Sequence, residues 1–335
     1  MSSKAQRDTL RSLIPKNYEV LGMEKTEIDM FVSHGQPFNF PVSNLTEYSY
    51  LPFGAPYEVL QTPILRFHAP VRILTVILSS ACEVDQRNYV RSKIRGNLAK
   101  YGVYSVFTLG YDPLCDELVR DENEKHGDIL QFSHVNSYRN ISLSVLYSLL
   151  YLHNHHIAAD YVLKTDVDCV INYPLLLKHL EPYNPFVDRV YMGDCHVGEH
   201  YITNNPRRKI YIPESLVLDP KIAPYASGGG YVISYKLLGE LMIAMRHVKF
   251  LTHHEDVNIG KGMELLFVQC IQKKPMWVAR KGCDSEESCK EYVVMHPERH
   301  ISEINEFYSY IAWNCLFWKT FQINYGLSIY SNIMT

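Results

Sequence analysis

The chain has 335 residues, 47% of them hydrophobic and 21% charged, with a formal net charge of −3. That is enough apolar chain for one large domain or two small ones, and it excludes a globally disordered protein. The near-neutral balance, with no basic cluster interleaved with aromatics, gives no electrostatic reason to expect a nucleic-acid partner. Eight cysteines, none spaced C-x-x-C, support neither a zinc ribbon nor a thioredoxin-like motif. Cys283 and Cys289 flank a polar loop that a disulfide would close in an oxidising compartment; two free thiols in a cytosolic protein is the equal alternative. Sequons at Asn44 and Asn140 lean towards secretion. No apolar run of about 18 residues is present, so neither a signal peptide nor a membrane span is expected within this sequence.

Residues 1–70 hold seven prolines and little periodicity, and read as a stem or irregular wrap. Regular alternation begins at Val71. Arg72–Leu78 is a buried strand ended by Ser79-Ser80, and Asp85–Lys100 is a basic helix bearing Arg87 and Arg91. Strand Tyr104–Leu109, helix Pro113–Lys125 and strand Asp128–Phe132 follow. Asn136-Ser137 can cap a helix reaching Asn154, with leucines on one side. The next apolar trio, Tyr161–Leu163, leads to Asp166-Val167-Asp168. This β-α-β-α-β-α-β order predicts an α/β fold with a mainly parallel, Rossmann-like sheet between helices. Further on come a helix over Pro174–Leu180, a strand over Val190–Met192 and a polar segment over 196–224. The glycines 228–230 lead into a strand at Tyr231–Ser234, with helices over 235–246 and 253–270 beyond. Aromatics crowd the tail from Phe307 to Tyr330 and suit packing.

Two carboxylates at i and i+2 amid apolar residues are costly to bury unless their charge is compensated. Ligands in open α/β sheets bind at the carboxyl ends of strands, and hard divalent cations take carboxylate oxygens there while keeping positions for phosphate. Taken alone, D-x-D more often marks two solvated aspartates. Arg87 and Arg91, one helical turn apart after the first strand, could clamp a diphosphate or uracil-ribose, although a solvated basic face is the commoner case. Gly228-Gly229-Gly230 precede a strand, not a helix, and lack the spacing of a phosphate loop; they point to close backbone approach to a ligand or a packed element. His253-His254-Glu255-Asp256 cannot complete an H-E-x-x-H zinc motif, because Val257 and Asn258 stand where a second histidine is needed. Acidic residues at a helix start are favoured by the dipole, and Asp256 in that position is also a candidate general base. His296 ends an apolar run, where a lone histidine is more often structural; as a neutral imidazole it could complete a carboxylate–metal site.

In this order, the fragments resemble the β-1,3-galactosyltransferase family (glycosyltransferase family 31). Its R-R-x-x-I-R helix is matched by Arg87 to Arg91, and its K-x-D-D-D-V-F-V-N by Lys164-Thr-Asp-Val-Asp-Cys-Val-Ile-Asn172. Its P-Y-x-S-G-G-G-Y-V-x-S is matched by Pro224 to Ser234, its E-D-V-x-x-G by Glu255 to Gly260, and its late histidine by His296. The resemblance covers about residues 71–300 and departs from the pattern at Val167 and at Lys93-Ile94.

It implies a GT-A catalytic domain over 71–300, with 1–70 as stem and 301–335 as a C-terminal extension. It further implies inverting, Mn²⁺-dependent transfer of a hexose, galactose first, from a UDP-sugar to a glycan acceptor on glycoprotein or glycolipid. N-acetylglucosamine or N-acetylgalactosamine transfer is the alternative within the enzyme class, and a non-catalytic GT-A chaperone or binding module the alternative outside it. On this resemblance Asp168 and His296 would hold the metal and Asp256 would be the catalytic base. Arg87, Arg91, Lys164, Asp166, Gly229 and Gly230 would contact the donor. Family members are usually type II Golgi membrane proteins, so the expected setting is the Golgi apparatus, with an anchor outside this sequence.

Overall fold

The computed structural model describes residues 50–52, 58–65, 67, 70–94, 98–157, 159–203, 205, 210–214, 217, 221–251, 253–272 and 291–296. The chain divides into two compact units, Met1–Val167 with Pro185–Gln272, and Asp168–Asn184 with Lys273–Thr335. The first carries strands β1 (Tyr50–Pro52), β2 (Val59–Gln61) and β3 (Ile73–Leu78), helix α1 (Val84–Ile94) and β4 (Val103–Tyr111). It continues with α2 (Asp116–His126), β5 (Ile129–Val135), α3 (Ile141–Asn154) and β6 (Tyr161–Asp166). The second unit supplies β7 (Val170–Ile171) and α4 (Tyr173–Leu180). The first resumes with β8 (Tyr191–His196), β9 (Tyr225–Ser234), α5 (Tyr235–Ala244), β10 (Lys249–Leu251), α6 (Glu255–Leu265) and β11 (Ile271–Gln272), and β12 (Val294–Met295) belongs to the second.

Eight strands of the first unit form one sheet in the order β11-β8-β9-β6-β3-β4-β5-β2. Strands β6, β3, β4 and β5 run parallel, while β9 runs antiparallel to β6 and β2 antiparallel to β5. The α/β alternation expected from the sequence is therefore present. The central strand β3, Ile-Leu-Thr-Val-Ile-Leu, buries its first five residues, as a parallel strand covered on both faces must. From β3 the chain steps outward through β4 to β5, then returns to place β6 on the other side of β3. Sheets that reverse direction in this way open a crevice at the strand ends, and Asp166, paired with Leu78, ends β6 there.

Helix α3 is apolar almost all round and buries every residue from Ser142 to Leu152. Its serines are satisfied internally: Ser148 donates to Thr108 Oγ1 at 2.6 Å, and Thr108 donates to the Ser144 carbonyl at 3.0 Å. At the start of α3 the Ser142 hydroxyl donates to the Leu251 carbonyl, and the Asn258 amide donates both to Ser142 Oγ and to Leu251. This knot fastens α3, β10 and α6, so the helix that begins at Glu255 has a fixed origin.

Two arginines make the other internal tie. Arg87 is fully buried. Its Nε and Nη2 donate to Glu122 at 2.9 and 2.6 Å, and its remaining N–H groups reach Ser79 Oγ and the carbonyls of Ser80 and Ala81. Arg91 forks onto Asp128 at 2.9 and 2.8 Å, adds Asn88 and Glu122, and lies 4.8 Å over the Phe107 ring. Two cations and two carboxylates balance, and together the arginines hold the Glu122 carboxyl below its ordinary range although burial alone pushes it up.

Some expectations are corrected here. Tyr50–Pro52 and Val59–Gln61 form β1 and β2, which pair with β10 and β5, so strands occur before residue 70. Asn136 does not cap α3; its side chain accepts from the Ala81 N–H and donates to Ser80 Oγ, and the helix starts at Ile141 after a 3₁₀ turn. The triple glycine lies inside β9, not before a strand. Disulfides join Cys82 to Cys115 and Cys195 to Cys270, pairings that spacing alone did not suggest. Cys283, Cys289, Asn44 and the 301–335 tail lie outside the described residues.

Replacing Arg87 by Met leaves Glu122 buried with half its compensation and is expected to cost about 3–5 kcal/mol, read from the denaturant midpoint. The double variant Arg87→Met/Glu122→Leu removes one charge of each sign and recovers most of that loss. If it stays as unstable as the single variant, packing rather than charge balance sets the cost.

Candidate active site

The acidic end of β6 is built around Lys164. Its register places it opposite Tyr231 of β9, with Thr165 opposite Gly230. The ammonium is buried, and three acceptors surround it: Asp166 Oδ1 at 2.8 Å, the Gly228 carbonyl at 2.6 Å and Glu255 Oε1 at 2.6 Å. Burial alone works against the charged form, but the Asp166 and Glu255 carboxylates more than offset it and hold Lys164 above the ordinary lysine range. Glu255 is buried as well, and its second oxygen accepts from the Tyr231 hydroxyl at 2.9 Å. Burial pushes its carboxyl up to about 7, with Lys164 pulling down and Asp256 pushing up.

Asp256 follows at the start of α6. One carboxylate oxygen accepts the Gly228 N–H at 3.1 Å and the other the Val257 N–H at 2.8 Å, so each keeps a lone pair. Its side chain is half-buried. Burial raises its pKa, while Lys164 and the two N–H donors pull the other way. Gly228 is required because this contact is so close: a Cβ there would lie 2.8 Å from Glu255 Oε1 and 3.3 Å from Asp256 Oδ2. The Gly229 carbonyl accepts from the Thr165 hydroxyl at 2.8 Å. Lys164, Asp166, Gly229, Gly230 and Asp256 are therefore brought together in the first unit. Glu255 and Tyr231 belong with them, although the sequence reading gave Glu255 only a dipole role; its signal was its place at the head of the E-D-V-x-x-G match, beside Asp256.

In the second unit, β12 pairs antiparallel with β7, Val294 opposite Ile171 and Met295 opposite Val170. That brings His296 to Asp168, with Nε2 3.5 Å from Oδ1 and both side chains partly exposed. Two ligands each about 2.1 Å from a cation stand no more than about 4.2 Å apart, so the spacing fits one shared divalent ion. A carboxylate oxygen and an imidazole nitrogen are donors such ions accept, and their exposure leaves room for further ligands.

Arg87 and Arg91 are corrected: the five N–H groups of Arg87 and the fork of Arg91 are committed to interior acceptors, and the two side chains are 0% and 5% exposed. Helical spacing showed that they share a face but not that Glu122 and Asp128 lie under it.

The mainly parallel α/β sheet between helices agrees with the GT-A class expected from the sequence. Within it, the chain belongs to the galactosyltransferase family, whose family model matches residues 85–274. Human and mouse β-1,3-galactosyltransferase 1 are each 27% identical to it over 212 residues, covering 60% of this chain and 63% of theirs. Mouse N-acetyllactosaminide β-1,3-N-acetylglucosaminyltransferase 4 is 30% identical over 203 residues, 58% of this chain and 57% of that protein. The chain thus spans less than two thirds of the length of these relatives. Among solved structures, the galactosyltransferase LgtC in complex with donor and acceptor sugar analogs gives a TM-score of 0.36 at 11% identity, over 71% of this chain and 95% of that one.

Glu255 makes stability depend on pH. Its folded pKa of about 7 lies above its ordinary 4.5, so the stabilisation from its neutral form is complete below the lower value and lost as pH rises through the upper one. Unfolding free energy is expected to fall across that window, and Glu255→Gln to flatten the fall. A wild-type curve already flat there would remove the assignment.

Proposed function

We propose that the chain is an inverting, Mn²⁺-dependent hexosyltransferase that moves a sugar, galactose first, from a UDP-sugar to a glycan hydroxyl in β-1,3 linkage. The observation that carries this reading is Asp256, in a chain of this family: a half-buried carboxylate at a helix start, with each oxygen fixed by one N–H and each retaining a lone pair. Burial makes it a stronger base than an ordinary aspartate, which suits a group that must take a proton from a hydroxyl near neutral pH.

The roles then follow from the chemistry of each residue. Asp256 takes the acceptor hydroxyl's proton as that oxygen attacks the anomeric carbon. A single displacement inverts that carbon, as in the two-sided arrangement of inverting glycosidases. Lys164 stays charged between Asp166 and Glu255 and keeps Asp166 aimed from the strand end, where it can accept from a donor ribose or sugar hydroxyl. Gly229 and Gly230, which carry no side chain on β9, would let the donor approach the backbone closely. Asp168 and His296 would hold the cation, which as a Lewis acid offsets the charge of the departing UDP. Two disulfides support an oxidising lumen such as that of the Golgi apparatus. Among the described residues no helix is long and apolar enough to cross a membrane.

UDP release from a panel of UDP-sugars, with Mn²⁺ and mixed β-linked acceptors, tests the reading. One donor is expected to turn over, and Asp256→Asn to lower kcat by about 10²–10⁴-fold. Because Asp256 works deprotonated with a raised pKa, the wild-type rate should fall on the acid side above the usual carboxylate range near 4, a limb the variant lacks. Unchanged turnover in Asp256→Asn would remove the base from the mechanism. In a separate measurement, His296→Ala should weaken Mn²⁺ binding; equal Mn²⁺ affinity in the two proteins would remove His296 from the site.

A further inference from the structure

The pairing that brings His296 to Asp168 also places a thiol there. Extending the β7–β12 register by one residue sets His296 opposite Cys169, because Val294 faces Ile171 and Met295 faces Val170. Directly opposed residues of an antiparallel pair share a face, with Cβ atoms about 4.5–5.5 Å apart. The Cys169 Sγ lies 4.0 Å from Asp168 Oδ1, and the ligand atoms of Asp168, Cys169 and His296 all lie within 4.8 Å of one another. A sulfur about 2.3 Å and an oxygen about 2.1 Å from one ion can stand up to about 4.4 Å apart. Cys169 is buried and lies outside both disulfides. It also occupies the position at which the family pattern quoted above has valine.

We propose that Cys169 is a third protein ligand of the cation site formed by Asp168 and His296, and that this chain's site therefore also accepts thiophilic divalent ions of the zinc class beside Mn²⁺. This rests on the reading of Asp168 and His296 as metal ligands and adds to it a donor that hard ions do not favour. Carboxylate, imidazole and thiolate are donors that zinc-class ions accept together, whereas Mn²⁺ gains little from sulfur. Binding converts the thiol to a thiolate, and its proton leaves to solvent. No oxidant or reductant is consumed. Any nitrogen–oxygen site binds Zn²⁺ more tightly than Mn²⁺, so the preference alone proves nothing; what distinguishes the proposal is how much of it depends on Cys169.

The test titrates the full chain, disulfides intact, with Co²⁺ as a spectroscopic probe and with Zn²⁺ and Mn²⁺ by competition. Wild type, Cys169→Ser and His296→Ala are compared, and circular dichroism confirms that each is folded. Wild type is expected to show a thiolate-to-cobalt charge-transfer band in the near ultraviolet. Cys169→Ser should lose that band, bind Zn²⁺ at least about a hundredfold more weakly, beyond the 10–100-fold of an outer-shell change, and change little towards Mn²⁺. Should Cys169→Ser not fold, Cys169→Ala in the same titration carries the comparison. Co²⁺ binding without the band, or with a band that survives in Cys169→Ser, overturns the proposal and leaves Asp168 and His296 as ligands. If wild type and His296→Ala bind Co²⁺ and Mn²⁺ identically, the metal reading itself falls, and the proposal with it.

Discussion

A lysine ammonium cannot be buried without partners, and Lys164 has three, each from a different part of the chain: Asp166 from its own strand, the Gly228 carbonyl from β9, and Glu255 from α6. Removing any one leaves a charge or a dipole uncompensated in a region of low dielectric, where that is expensive. The ion group therefore does more than hold the fold. It determines where α6 begins, and so where Asp256 sits. It also explains the glycine at 228, since a side chain there would push Glu255 off the ammonium.

The same logic governs the pair of arginines at the other side of β3. Their fork geometry suits carboxylates, and the chain supplies Glu122 and Asp128. The two buried networks differ in what they leave open. The arginine quartet spends its donors on its own acceptors and on nearby carbonyls. The lysine group leaves Asp166 and Asp256 partly exposed, with lone pairs turned to whatever enters. One network is closed and structural; the other is available for chemistry.

Much of this architecture could be read along the chain because its signals are local. Buried runs such as Ile73–Leu78, the turn residues after them and the acidic helix start at Glu255-Asp256 are each contained in a few residues. What was not legible depends on which distant residue folds back. Nothing near Arg87 reveals that Glu122 completes it, and nothing near Cys82 reveals Cys115. Strands of two or three residues such as β1, β2 and β12 are too short for periodicity to mark, so the pairing of Tyr50–Pro52 and Val59–Gln61 with β10 and β5 went unseen. Glu255 looked like an ordinary favourable acid at a helix start until Lys164 was found against it.

The Cys195–Cys270 bond has a consequence for motion. The 75-residue ring it closes contains β9, the three glycines, Glu255 and Asp256. By chain-entropy reasoning a ring of that size narrows the unfolded ensemble by about 4 kcal/mol. Partial openings of the segment are tethered in the same way, because a section pinned at both ends has fewer ways to peel from the sheet. Reduction would remove that tether and leave the contacts of Lys164 with Asp166, Gly228 and Glu255 to hold the segment.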